Sequence, residues 1–283
     1  MKIVITGGVG MLGRDVERAA REVNHEPVAL TRADLDICDR EAVEQAFIEH
    51  YPGAVINCAA WTNVDGAEEH EAEATEVNGR GAGNVAAAAA AVGASVVHPS
   101  TDYVFDGSKG DGYVESDDVA PISGYGRSKL AGEREVAAAN PRHWIVRSSW
   151  LFGVHGRNFV ETMLGLAQDR DEVVVVRDQV GCPTYTGHLA AGLVRLLDGE
   201  DYGLHHMAGG GRCSWYDFAV EIFRQAAVEC HVLSMTSDML DRPARRPAFS
   251  VLESEREHPV LLPDWHDGLA DYLAERAQAG APA

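Results

Sequence analysis

KIVITGGVGMLG, residues 2–13, decides the architecture. Five residues rich in β-branched side chains run straight into glycines, and LGRDVERAAREV (12–23) follows with helical periodicity. The order strand, glycine turn, helix is the context a dinucleotide-binding turn requires. The turn holds both G-x-G-x-x-G (Gly8, Gly10, Gly13) and G-x-x-G-x-x-G (Gly7, Gly10, Gly13). A lone glycine pattern also fits a plain strand–loop turn, so the flanking elements carry the reading. Glycines let backbone amides approach a pyrophosphate, and the helix N-terminus favours the anion. Gly7, Gly10, Met11, Leu12 and Gly13 are therefore the expected pyrophosphate contacts.

The same rhythm continues outward. Short apolar runs at residues 27–31, 54–60, 95–100 and 143–148 read as strands. Helical stretches at 41–51, 73–92 and 125–140 separate them. Alternation of helices with near-continuously apolar strands means a parallel sheet covered on both faces. The expected fold is α/β, a doubly wound Rossmann-type parallel sheet with ligands at the carboxyl ends of its strands. After Trp150 the pattern loosens, with helices expected at 159–168 and 186–197 and strands at 172–176 and 204–207. Ser214, with Asp217 three residues on, reads as the N-cap of a helix through 218–227. A last helix spans 264–276, and residues 277–283 read as a frayed end. The division expected is a nucleotide domain of residues 1–150 plus roughly 184–208, and a smaller, mostly C-terminal α/β substrate-binding lobe of roughly 151–183 and 209–283.

Composition narrows the partners. The chain has 283 residues, 46% of them hydrophobic, and a formal charge of −20. That charge argues against nucleic acid, which needs a basic face. No apolar run is long enough for a membrane span, and glycines arrive too early for a signal-peptide core. Five scattered cysteines without a C-x-x-C pattern fit reduced thiols in a cytoplasm and suggest neither disulfides nor a metal site. An anionic small molecule would need local cations or helix N-termini, because the global field repels it.

Residues at the strand ends carry the expected chemistry. At the end of the second strand, Thr31-Arg32 stands where an acid would bind a ribose 2′-hydroxyl, so Arg32 is the candidate for a 2′-phosphate. This favours NADPH and leaves NADH as the alternative. Asp36 and Ile37 are placed to meet the adenine, and Ala59, Ala60 and Trp61 to pass the cofactor ribose. The fourth strand ends at Thr101, followed by Asp102 and Tyr103. Tyr125 and Lys129 lie one helical turn apart, so both can face one cleft. Lysine occurs only at positions 2, 109 and 129, which makes Lys129 conspicuous, although Tyr-x-x-x-Lys alone is a weak motif. A neighbouring ammonium, together with a positively charged nicotinamide in the oxidised state, is expected to favour phenolate and lower a phenol's pKa. Lysine's compact head can also bond ribose hydroxyls as a planar guanidinium cannot.

Together with the glycine turn, NCAAWTNVD (57–65), STDYVFDG (100–107), YGRSKLAGE (125–133), RSSWLFG (147–153), DQVGCPT (178–184) and RPARRP (242–247) are specific. With them the chain resembles the nucleotide-sugar reductases of the extended short-chain dehydrogenase/reductase family over nearly its whole length. The resemblance implies hydride transfer from NADPH to C4 of a dTDP-4-keto-6-deoxy-sugar, with dTDP-L-rhamnose as the expected product. It implies that Tyr125 donates a proton to the C4 oxygen, that Thr101 bonds the same oxygen, and that Lys129 holds the cofactor ribose. Asp102, Tyr103, Trp150 and Arg245 are the implied substrate contacts, Arg242 and Arg246 completing a cationic cluster, and Asn78 backs the site. A dehydratase of this family would carry a second acid where Tyr103 stands. A reductase of another nucleotide 4-keto-deoxy-sugar and a non-catalytic NADP-binding subunit are the remaining alternatives. The chain is expected to act as a monomer or homodimer.

Overall fold

A computed structural model of the chain describes residues 1–278 and 280. KIVIT forms β1 (Lys2–Thr6), followed by α1 (Met11–Glu22), β2 (Glu26–Leu30), α2 (Arg40–His50) and β3 (Ala54–Asn57). Two short helices, α3 (Gly66–Glu69) and α4 (Glu71–Thr75), lead through a π-helical turn at Glu76–Gly81 into α5 (Ala82–Ala91). β4 (Ser95–Thr101), α6 (Gly124–Ala139) and β5 (His143–Ser148) follow. The C-terminal half contains β6 (Leu151–Phe152), α7 (Phe159–Leu166), β7 (Glu172–Val176), β8 (Val180–Gly181), β9 (Thr184–Tyr185) and α8 (Thr186–Leu196). It ends with β10 (Gly203–His206), β11 (Cys213–Ser214), α9 (Trp215–Gln225), β12 (His231–Met235) and α10 (Trp265–Gln278).

The main sheet has six parallel strands in the order β2-β1-β3-β4-β5-β10. Its strand order reverses between β1 and β3, so a crevice opens above their carboxyl ends, where doubly wound sheets take ligands. The apolar strands serve both faces. Ile3 and Ile5 pack beneath Val16 of α1 and Leu189 and Leu193 of α8. Val4, Val55 and Val96 point the other way, onto Phe47, Val85 and Val136 of α2, α5 and α6. Each such side chain contributes roughly 1.5–3 kcal/mol by leaving water, which is why alternate residues of one strand are held equally firmly. A third cluster, built on Phe152, Phe218, Trp265 and Tyr272, closes the C-terminal half with α7, α9, α10 and the parallel pair β7–β12. Ser214 and Asp217 form the expected capping box, from which α9 begins at Trp215.

Two elements differ from expectation. The third strand stops at Asn57 rather than residue 60. Cys58 N still donates to Thr6 O at 3.1 Å, but residues 58–60 then cross over the glycine turn instead of continuing the ladder. The alanine-rich stretch 73–92 is also not one α-helix. Its middle widens into the π-helical turn, where Gly79 and Gly81 supply little intrinsic preference for the α form. Such bulges recur at functional sites. The end expected to fray reaches residues 277 and 278 as the close of α10, and positions 279 and 281–283 lie outside the described residues. No described helix is long and apolar enough to cross a membrane.

Candidate active site

The glycine turn is a close-fitting cradle. Gly7 sits at φ +65°, and a Cβ there would stand 2.7 Å from Ala59 N. A Cβ on Gly8 would meet the Ala29 methyl at 2.7 Å. Gly10 N closes the turn on Gly7 O at 2.9 Å. Gly10 also occupies the N-cap of α1 and brings no side chain to satisfy the helix amides, so these face the crevice. This donor set fits a pyrophosphate. Met11 lies at the mouth against Gly153, whereas Leu12 turns inward into the core. Above the turn pass Ala59, Ala60 and Trp61, all partly exposed.

Thr101, Tyr125 and Lys129 converge at the end of β4. Ser123 caps α6 by accepting from Gly126 N at 3.1 Å. Gly126 lies directly against the Tyr103 carbonyl, where no side chain would fit, and this contact brings the first turn of α6 to the strand end. The Thr101 hydroxyl lies near enough to Tyr125 to act on its phenol. Thr101 Oγ1 also accepts from Tyr103 N (3.2 Å) and donates to Asp102 Oδ1 (3.1 Å). The Tyr103 ring meets Tyr125 edge-on, with centroids 5.6 Å apart. Lys129 is buried and donates to Pro99 O at 2.7 Å.

The electrostatics add a cause that the spacing of Tyr125 and Lys129 does not show. Burial pushes the Tyr125 phenol up to about 12, opposed by the Thr101 hydrogen bond and reinforced by Asp102. Lys129 is not among the groups acting on it, so the phenol is not drawn toward neutrality. Lys129 itself falls to about 8 through burial, with Glu133 and Cys58 opposing the fall. Asp102, also buried, rises to about 6 against the pull of the Ser250 and Thr101 hydroxyls. At neutral pH the tyrosine is therefore firmly a proton donor rather than a base.

Asn78 explains the widened helix. Its side-chain oxygen accepts from Trp61 N (2.8 Å), while Nδ2 donates to Trp61 O (3.0 Å) and Ser128 Oγ (2.9 Å). Ser128 Oγ in turn donates to Tyr125 O at 2.8 Å. One buried amide thus joins the segment after β3 to the helix carrying Tyr125. Gly132 allows α6 to lie directly on the Asn78 carbonyl.

Trp150 has an aromatic partner that the sequence reading did not name. Trp150 stands just beyond β5 in the left-handed region, φ +50°, a costly conformation for a bulky side chain. Its indole stacks on Trp215, with centroids 3.5 Å apart and planes 4° from parallel, and Phe159 meets Trp215 at 4.5 Å. Gly181 makes this stack possible, since a Cβ there would stand 2.6 Å from the Trp150 ring. Trp215 was missed. Its only signal is its place directly after the Ser214 cap.

Several expected contacts are not brought together. Arg32 is 86% exposed and reaches Asp36 only at 3.8 Å. Asp34 turns back to accept from Thr31 N at 2.9 Å. Ile37 is a core residue packed under Gly81, which leaves Asp36 as the exposed member of that pair. The cluster Arg242, Arg245 and Arg246 is divided. Arg246 Nη2 pairs with Asp65 Oδ2 at 2.9 Å, and Asp65 Oδ1 accepts from Ala244 N, so Arg246 anchors its own segment. The Asp65 carboxyl is held low by that guanidinium. Arg242 and Arg245 remain exposed. Elsewhere Asp15, His155 and Glu275 place ligand atoms within 4.8 Å of one another, but Arg18 already bridges both carboxylates.

The chain matches a family model described as the RmlD substrate binding domain over residues 1–278. It is 43% identical over 280 residues to dTDP-4-dehydrorhamnose reductase of Mycolicibacterium smegmatis, covering 96% of this chain and 85% of that one. It is 43% identical over 251 residues to dTDP-4-keto-6-deoxy-D-glucose reductase of Streptomyces niveus, covering 88% and 87%. The crystal structure of dTDP-4-dehydrorhamnose reductase from Bacillus anthracis in complex with NADP superposes with a TM-score of 0.94 at 38% identity, covering 97% and 99%.

Proposed function

We propose that this chain, which belongs to the RmlD substrate binding domain family, is an NADPH-dependent reductase of a dTDP-4-keto-6-deoxy-sugar, with dTDP-4-dehydrorhamnose as substrate. The observation that carries the reading is the meeting of Thr101, Tyr125 and Lys129 at the end of β4, beside a glycine cradle, in a chain that matches such reductases across its length. Gly7, Gly10, Met11 and Gly13 hold the pyrophosphate, Ala59, Ala60 and Trp61 line the path of the ribose, and Lys129 bonds its hydroxyls. The bound dinucleotide supplies the hydride that converts the C4 carbonyl to an alcohol.

Tyr125 gives its phenolic proton to the C4 oxygen as that oxygen gains charge, and Thr101 holds the oxygen by a second hydrogen bond. Burial of Tyr125 suits this direction, because the phenol stays protonated until it is used. Asp102, Tyr103 and the Trp150–Trp215 stack shape the sugar and base sites, and the exposed Arg242 and Arg245 supply the cations a diphosphate needs in an acidic protein. The free cysteines fit a cytoplasmic setting. The Streptomyces niveus relative supports a second reading, reduction of a different 4-keto-6-deoxy sugar nucleotide. Turnover of a panel of keto-sugar nucleotides, followed by loss of NADPH absorbance, decides between them. Tyr125→Phe should lower kcat by roughly 10²–10⁴-fold with NADPH affinity nearly unchanged. A near-parental rate in that variant, or no turnover by the parent of any substrate in the panel, would overturn the proposal.

A further inference from the structure

We infer that Glu133 is a positioning residue for this reaction: paired with Arg147 at the ends of β4 and β5, it fixes α6 against both strands and stands as the counter-charge one helical turn from the Lys129 ammonium. Glu133 lies one helical turn beyond Lys129 and two beyond Tyr125, on the same face of α6. Its Oε1 accepts from Ser100 Oγ (2.6 Å) and Arg147 Nε (2.9 Å), and its Oε2 from Arg147 Nη2 (2.8 Å). Ser100 and Arg147 are register partners on β4 and β5, and the next pair in that ladder is Thr101 with Ser148. One carboxylate therefore ties the helix bearing Tyr125 and Lys129 to the strand ending in Thr101.

The support extends further. Arg147 lies over the Phe105 ring at 5.0 Å, and its Nη1 reaches His206 Nε2 on β10 at 3.5 Å. His206 Nδ1 faces the carbonyls of Tyr113 (3.0 Å) and Glu253 (2.8 Å), so the ring proton sits there and Nε2 accepts from Arg147. The guanidinium is thus held on three sides.

Stability alone does not account for this pair. Both side chains are buried, the one such ion pair among the described residues. Desolvation makes a buried pair no more stabilising, as a rule, than well-packed apolar residues of similar volume. What it provides is a fixed anion near Lys129. The other titratable groups around that ammonium are Tyr125 on the same helix, Cys58 beyond β3 and His98 on β4. Burial keeps the tyrosine and the thiol near about 12 and the imidazole well below its ordinary value, so all three are neutral at pH 7. Glu133 is the counter-charge, and no ion pair joins it directly to Lys129, which stays free to bond a ribose.

The inference rests on the reading that Lys129 contacts the cofactor ribose, and the test separates the two. NADPH binding is measured by fluorescence between about pH 6 and 10, in the parent, Glu133→Gln, Glu133→Gln/Arg147→Met and Lys129→Met. The parent's affinity should fall as Lys129 loses its proton near pH 8, and Lys129→Met should lack that transition. In both Glu133 variants the midpoint should move down by about one pH unit, because the ammonium has lost its counter-charge. The double variant leaves no unpaired guanidinium where Arg147 stood, so it carries the test if the single variant fails to fold. Midpoints equal to the parent's overturn the inference, even if the variants melt lower. A transition that persists in Lys129→Met overturns the ribose reading itself, and the inference with it.

Discussion

Gly132→Ala isolates the contact on which the site geometry depends. A Cβ at this position would stand less than 3.0 Å from the Asn78 carbonyl oxygen, closer than real Cβ atoms approach. The obstacle is backbone, so no flexible side-chain end can swing aside. Ordinary contact begins at 3.4 Å, and α6 must retreat from the π-helical turn by roughly an ångström to restore it. That retreat stretches the Asn78–Ser128 hydrogen bond (2.9 Å), and with it the link to Tyr125. Overpacking of this kind costs about 1–3 kcal/mol, which lowers Tm by roughly 2–10 °C in a chain of this size. Misplacing the proton donor by about 1 Å should reduce kcat by about 10²-fold. The assay pairs a thermal melt with steady-state kinetics, and Gly165→Ala serves as control. Gly165 lies exposed inside α7 with nothing within 4 Å of a new methyl. That control should gain roughly 0.5–1 kcal/mol and keep its activity. Parental kcat and Tm in Gly132→Ala would refute the argument that α6 is seated by this contact.

Three further outcomes are expected. Lys129 binds its proton more weakly folded, at about 8, than at its ordinary 10.5, so between those values the unfolded chain holds more protons and stability rises with pH. Urea melts should therefore show the parent gaining stability relative to Lys129→Met from about pH 8 upward, and a flat difference would contradict the buried-ammonium assignment. Arg32→Ala should lower kcat/KM with NADPH by about tenfold and leave NADH use unchanged, the low end for a charge-assisted contact because Arg32 is exposed; equal loss with both cofactors would show that Arg32 does not read the 2′-phosphate. Gly181→Ala should displace Trp150 from Trp215 and raise KM for the nucleotide-sugar by several-fold with NADPH binding intact, as measured by kinetics and fluorescence titration; unchanged KM would remove the stack from the substrate site.

Much of the molecule is legible in its sequence, for local reasons. KIVIT, the glycines and the helix after them read together as a dinucleotide-binding turn, and the alternation of apolar strands with helices points to a parallel sheet covered on both faces, as the opposed burial of Ile3 and Val4 bears out. Ser214 and Asp217 cap α9 because capping depends on neighbours three residues apart. Tyr125 and Lys129 were legible for the same reason, one helical turn being a local distance. Tertiary structure alone decided what depends on partners far away in the chain. Asn78 widens its helix because Trp61 and Ser128 claim its amide. Arg246 leaves the cationic cluster for Asp65, which is 181 residues away in sequence. The Ile37 side chain enters the core under Gly81, and Trp215 meets Trp150 only because Trp150 is turned onto it. Protonation follows the same division. The spacing of Tyr125 and Lys129 draws attention to a neighbouring charge, but burial, a property of the assembled fold, is the largest influence on the phenol and raises it.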